Sequence, residues 1–294
     1  SRVLGGIFSG AVISCAVAYV ADVTSEEERT KGMGLVGMSI GLGFIFGPGI
    51  GGLLSYFGHA VPFFVSSALA LLLFLTALSK LEESLAAHKR LAKRVERVSR
   101  WKAFYGPMKY LYVLGFLVSF TLAGLETVFM YYQQNKIGAG SVEFGMMMLV
   151  SGIVGAAIQG GVVRRFIKKG DEGKFIVLGL VLSSVGFFLI LLSNSFVTAS
   201  LYLSVFAAGN AFLRPCVTSL ITQKTKVSQG LATGLSSSMD SLGRITGPLL
   251  GVSAFYIGQD LPFILGGFLC LAAVGLLIRF ELLDKREIRV VNES

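Results

Sequence analysis

The sequence predicts an all-α polytopic membrane protein, and three observations carry that prediction. Hydrophobic residues make up 53% of the 294-residue chain and charged residues 15%, with a mean hydropathy of +0.73, a balance typical of proteins solvated by lipid. Nine apolar segments are long enough to cross a bilayer, which takes about 20 residues of helix. All but four of the 26 lysines and arginines fall in every second connection or in the tail from Arg279, the alternation that cytoplasmic loops enriched in positive charge produce.

The segments can be justified in order. The first, 3–21, begins behind Arg2 and is followed by Arg29 and Lys31. The second, 32–56, is rich in glycine, and the third, 62–79, lies beyond the uncharged turn around His59. A polar and basic stretch from Lys80 to Lys109 then divides the chain. The fourth and fifth segments, 110–132 and 144–163, flank Lys136, the one basic residue of the opposite face, and the cluster from Arg164 to Lys174 follows. Segments six and seven, 175–192 and 199–221, turn around Asn194, with Lys224 and Lys226 beyond; eight and nine, 231–257 and 261–280, turn around Gln259. Residues 1–79 thus form one helical part, 80–109 a linker, 110–282 a six-helix half and 283–294 a cytoplasmic tail. The net charge of +9 reports topology and not a nucleic-acid partner.

An internal repeat adds an expectation about completeness. Residues 32–63 set against 232–263 without a gap share 12 identities, including Gly43/Gly243, Gly47/Gly247, Pro48/Pro248 and Gly51/Gly251. The second segment therefore repeats as the eighth, six spans later. Two six-helix halves joined by a long basic loop make a transporter architecture, and by that offset three helices are expected ahead of Ser1. The nine spans then correspond to the fourth to twelfth of twelve, and with a cytoplasmic tail Ser1 begins on the outside.

The run GLGFIFGPGIGGLLSYFG, Gly41 to Gly58, would be a poor soluble helix. Each interior glycine costs about 1 kcal/mol against alanine, and a mid-helix proline about 3. In lipid the same residues have a use. Gly43, Gly47 and Gly51 recur every four residues and form a flat stripe for close helix approach, while Pro48 cannot donate to the carbonyl of Phe44 and permits a bend.

These residues resemble the major facilitator superfamily, and within it the twelve-span drug:proton antiporters. GFIFGPGIGG (Gly43, Gly47, Pro48, Gly51, Gly52) matches the antiporter signature GxxxGPxxGG of the fifth span, and GRITGPLLGV (Gly243, Gly247, Pro248, Gly251) is its echo in the eleventh, with Val252 in place of the last glycine. RVLGGIFSG is similar to the fourth-span signature through Arg2, Gly6 and Gly10, with Gly5 where glutamine is usual. AYVADVTSEEERTKGMG resembles the following loop, with Asp22 and Arg29 in their usual places, and GGVVRRFIKKG is similar to a degenerate loop motif with Arg164 at the aspartate position. The resemblance implies a major facilitator fold, a seam that biases transport towards export, a cavity lined by the first, fourth, seventh and tenth spans, and a latch between Asp22 and a basic residue of the primary loop motif.

Intramembrane charges are costly and mark function. Of 17 acidic residues only Glu126 and Asp240 lie well inside spans. Asp240 is expected to pair with Arg214 at similar depth, or with Arg244 one turn along. Glu126 is expected to have no such partner in its own half and to face the cavity at the depth of Arg2. A cavity carboxylate that binds a proton and then yields it to an approaching cation is the physical basis of exchange. Phe129, Tyr131, Tyr132, Met146 to Met148, Asn210 and Arg214 are the candidates for a soft, aromatic substrate cavity.

Other chemistries lack their residues. Cys15, Cys216 and Cys270 lie in apolar spans without paired spacing, and His59 and His88 are in loops, so neither a metal site nor a nucleophilic dyad is expected. Glycine clusters follow no strand, which argues against a nucleotide loop. The expected protein is a monomeric, cofactor-free, multi-pass transporter of the cytoplasmic membrane that exchanges protons for lipophilic substrates. A carrier of another small solute, or a truncated remnant that transports nothing, is the alternative.

Overall fold

A computed structural model describes residues 29–81 and 106–293, apart from 164, 166, 168, 169, 226 and 228, together with residues 12, 15, 16, 19, 20, 23, 24 and 104. Arg2, Asp22, most of the first expected span and most of the 80–109 linker lie outside the described residues. Among the described residues eight helices follow one another: α1 (Arg29–Ser55), α2 (Val61–Lys80), α3 (Met108–Ile137), α4 (Ser141–Ala157, continued by a π-helical turn Ile158–Val163), α5 (Glu172–Ile190), α6 (Phe196–Lys224), α7 (Gln229–Ile257) and α8 (Leu261–Glu293). No strand occurs among the described residues.

Six of these, α2, α3, α4 with its π turn, α5, α6 and α8 as far as Asp284, are long and apolar enough to cross a membrane. α1 and α7 are also long, 27 and 29 residues, but polar and small residues dilute them. The apolar part of α1 is Gly41–Ser55, and α7 carries Ser236 to Ser238, Asp240 and Arg244. Nine spans are therefore not established by length and composition. The helices also outrun the apolar runs that announced them. α3 continues through polar Gln133 and Gln134 to Ile137, and α8 continues through the sequence expected to be a tail, because backbone hydrogen bonding does not stop where hydropathy does.

Local chemistry sets the ends. Pro62 sits in the first turn of α2, where a missing N–H costs no hydrogen bond. α3 stops at Gly138, whose φ of 70° is left-handed and favours glycine as a helix terminator. α6 opens with a reciprocal cap: the Thr198 N–H donates to Ser195 Oγ at 3.3 Å and the Ser195 N–H to Thr198 Oγ1 at 3.0 Å, satisfying two donors that a helix start leaves unpaired. Pro48, Pro215 and Pro248 lie inside helices, as bilayer helices tolerate.

The chain divides into two compact units, 1–97 and 98–294. In the first, α1 and α2 pack against each other. No described residue comes within 4 Å of the place a β-carbon would take at Gly43, Gly47 or Gly51, so the stripe is not covered by α2.

In the second unit α3 packs most extensively on α7, and also on α6 and α8; α5 lies between α6 and α8, and α4 rests on α6. The core has two levels. One gathers the start of α3, the ends of α6 and α8 and part of α5, around Tyr112, Ile176, Ile221 and Phe280. The other gathers the end of α3 with the starts of α6 and α8, around Phe129, Ile190, Phe206 and Phe263. Lipid offers helices no hydrophobic reward for meeting, so close van der Waals contact holds them. The echo stripe provides it: a β-carbon at Gly243 would lie 2.6 Å from the Phe116 carbonyl oxygen, one at Gly247 would collide with the Phe120 carbonyl, and one at Gly251 would lie 3.3 Å from Gly124 Cα.

Each end of this unit is stapled by polar contacts. Buried Glu172 accepts from the Gly170 N–H at 2.7 Å, Ser219 at 3.2 Å and Gln223 at 2.6 Å, and Lys224 meets Asp284 at 2.6 Å, tying α5, α6 and α8. At the other end Tyr132 donates to Asp260 at 2.8 Å, Lys136 donates to Tyr132 at 3.0 Å and to the Leu191 carbonyl, and Gln133 donates to Ser193 at 3.0 Å.

The seam is directly testable. Gly247→Ala is expected to destabilise the protein by about 1–3 kcal/mol through overpacking, whereas Gly275→Ala, where no described atom lies within 4 Å of the added carbon, is expected to leave thermal unfolding of the purified protein unchanged.

Candidate functional site

The charges expected to lie within the membrane converge on one face of the second unit because three helices bring them there. α3 supplies Ser119 and Glu126, seven residues or two turns apart and so on one side of the helix. α6 supplies Arg214, and α7 supplies Asp240 and Arg244 one turn apart. The glycine crossing sets the spacing, since α7 approaches α3 closely enough that Gly115 has room for a β-carbon only 4.0 Å from Asp240 Oδ1.

Asp240 is held from two sides. Ser119 Oγ donates to its Oδ1 at 2.9 Å, and Arg214 Nη2 meets its Oδ2 at 3.4 Å. The side chains of Arg214 and Asp240 are 46% and 27% exposed, so this is a long, partly solvated pair on an open face and not a sealed core bridge. Glu126 is half-buried and lies in the field of two guanidinium groups, Arg244 first and Arg214 second. Two carboxylates and two guanidinium groups thus share one face, with a formal charge of zero when both acids are ionised.

Several sequence expectations are placed by these contacts. The pairing of Arg214 with Asp240 is present. The expectation that Glu126 lacks a charged partner in its own half is corrected, because α7 carries Arg244 past it. Ser119 was missed as a ligand of Asp240. Its signal was the two-turn spacing from Glu126 on an otherwise apolar helix.

Among the cavity candidates, Phe129 and Tyr132 are corrected to core residues. Phe129 is 0% exposed in the second core level, with its ring centroid 6.3 Å from that of Phe144. Tyr132 packs its ring at a tilt of 47° against Phe263, with ring centroids 4.4 Å apart, and spends its hydroxyl on Asp260 and Lys136. Met147 is likewise fully buried. Asn210, one turn before Arg214 on α6, is half-buried with no described hydrogen-bond partner at Nδ2.

In α1, Gly43 and Gly47 are exposed, Pro48 and Gly51 half-buried and Gly52 buried. Their counterparts Gly243, Gly247, Pro248 and Gly251 lie along the α7 crossing. Arg29 opens α1, but its side chain, like all of Arg2 and Asp22, lies outside the described residues.

Comparison with known proteins sets this face in context. The chain matches the family model described as Major Facilitator Superfamily over residues 1–225 and again over 170–293. It is 32% identical over 282 residues to Multidrug resistance protein 2 of Bacillus subtilis (strain 168), covering 94% of this chain and 70% of that protein. It is 28% identical over 278 residues to the Quinolone resistance protein NorA of Staphylococcus aureus, covering 93% of this chain and 71% of that protein. The crystal structure of the human organic anion transporter MFSD10 (TETRAN) superposes with a TM-score of 0.67 at 26% identity, over 94% of this chain and 70% of that one.

The reassignment of Tyr132 from cavity to staple has a measurable consequence. Tyr132→Phe keeps the ring on Phe263 and removes the hydroxyl, so unfolding stability is expected to fall by about 0.6 kcal/mol, and by no more than about 1.7, the range for polar contacts in helical membrane proteins.

Proposed function

This chain belongs to the Major Facilitator Superfamily, as a multi-pass membrane transporter related to multidrug efflux proteins, and from that premise we propose that it exports lipophilic, often cationic, small molecules across the cytoplasmic membrane in exchange for protons, by alternating access. One observation carries this reading: Glu126 is a half-buried carboxylate within the bilayer span, in the field of Arg244 and Arg214, beside an aspartate already engaged by Arg214 and Ser119.

The chemistry follows from counting charge. With both acids ionised the four groups sum to zero, so a proton on Glu126 or a bound cation each adds one positive charge. Low-dielectric surroundings penalise adding both. Proton and cation therefore exclude each other, which is the condition for exchange. Glu126 is the proton carrier, Asp240 holds Arg214 in position, and Asn210 and Arg214 contact substrate. Arg2 modulates Glu126, and Asp22 and Arg29 belong to a cytoplasmic latch in which Asp22 pairs with a basic residue of the primary loop motif. The GxxxGP stripe of α7 supplies the close contact with α3, the stripe of α1 is its counterpart in the first unit, the basic connections support a cytoplasmic C-terminus, and a monomer suffices.

A second reading has its own support. Two guanidinium groups on the face, together with a structural relative described as an organic anion transporter, suit an anionic substrate. An anion would bind together with the proton and not compete with it.

The gene product carrying this chain, in everted vesicles, separates these outcomes. Glu126→Gln is expected to abolish dye efflux driven by a pH gradient while passive dye exchange persists. Unchanged gradient-driven efflux in that variant would remove Glu126 from the mechanism, and uptake of organic anions that rises with proton binding would favour the second reading.

A further inference from the structure

Away from the charged face, α7 and α8 diverge from their shared turn and touch only sparingly. Between them a cleft of about 430 Å³ opens, floored by α3 and α5. Its floor includes Thr121, Leu125, Val128 and Phe187, all buried, and its rims include Leu250, 58% exposed, and Ile257, 82% exposed. We infer that this cleft is a binding site for a single phospholipid acyl chain, taken from the leaflet that holds the Gly258–Asp260 turn.

Three observations commit the site to that occupant. The first is its chemistry. The two hydroxyls in the lining are already used, Thr121 donating to the Leu117 carbonyl at 2.9 Å and Ser253 to the Leu249 carbonyl at 2.8 Å. A ligand therefore meets carbon and no waiting polar partner, and an apolar space of this kind stays dry.

The second is depth. The cleft follows α7 from Gly247 to Ile257, ten residues or about 15 Å of helix, half of the ~30 Å hydrocarbon core. It is as deep as one leaflet. The third is continuity. Leu250, Ile257 and, on α8, Leu265 continue the exposed apolar surface formed by Phe268 and Leu271, so the mouth opens into lipid tails. Four glycines, Gly124, Gly247, Gly251 and Gly266, are part of the lining and add no side-chain polar group to it.

The test uses the purified full chain in nanodiscs of phosphatidylcholine, a minor fraction of which carries a diazirine in the middle of one acyl chain. After irradiation, labelled peptides are mapped by mass spectrometry. Label on the floor, at Phe120, Thr121 or Val128, is expected beside the ordinary label at outward-facing Leu271. Ala254→Phe, which fills the cleft, is expected to remove at least nine-tenths of the floor label and to leave Leu271 labelled; Leu265→Trp at the rim serves if Ala254→Phe does not fold. Floor residues that stay unlabelled, or that stay labelled after filling, would overturn the assignment. Floor label is expected to persist on adding tetraphenylphosphonium; its loss with Leu271 unaffected would mean that the cleft takes a lipophilic cation in preference to a lipid tail, and would overturn the assignment.

Discussion

The second unit depends on how closely α3 and α7 can approach. In a bilayer, burying one oily surface against another gains little, because lipid tails satisfy both. What remains is dispersion, which weakens steeply with each fraction of an ångström, and polar contacts that need short distances. Gly243, Gly247 and Gly251 remove the β-carbons that would hold the backbones apart, and Phe116, Phe120 and Gly124 of α3 take up the space. The crossing is also what sets the charged face, since it carries Asp240 to Ser119 and Arg244 towards Glu126.

That arrangement explains why intramembrane charge is tolerable here. Asp240 has a hydroxyl and a guanidinium as partners, and Glu126 lies in the field of two arginines. The burial cost of any one ion is offset by opposite charge nearby. The partial exposure of Arg214 and Asp240 leaves room for exchange of partners, unlike the staples at the two ends. There Glu172 is buried among three donors, and the hydroxyl of buried Tyr132 lies between Asp260 and Lys136. The ends are built to hold and the middle to respond.

Much of this site was legible in the sequence and part was not, for identifiable reasons. Glu126 and Asp240 stand out because acids inside apolar runs are rare, and the Arg214 pairing follows from depth along helices of known rise. The reach of Arg244 to Glu126 does not follow, because depth says nothing about which way a helix is rotated. The same missing rotation made Phe129 and Tyr132 look like cavity residues. An aromatic at helical spacing faces core or cavity equally well until its neighbours are known, and Phe144 and Phe263 turn out to be those neighbours. Ser119 went unnoticed because a lone hydroxyl in a span usually bonds its own helix, as Thr121 and Thr127 do.

By itself the sequence determined the medium, the helical class and the duplicated glycine pattern, since each is written in local composition and periodicity that any segment displays without reference to another. Helix ends were less well determined: α8 runs to Glu293 although hydropathy falls away sooner, because the helical hydrogen-bond ladder depends on backbone and not on oiliness. Only the tertiary structure decided which face of α3 meets α7, which carboxylate each arginine reaches, and that α7 and α8 part to leave an apolar cleft. Those features depend on the rotation and crossing of separate rods, set by many small contacts at once, and no single stretch of chain encodes them.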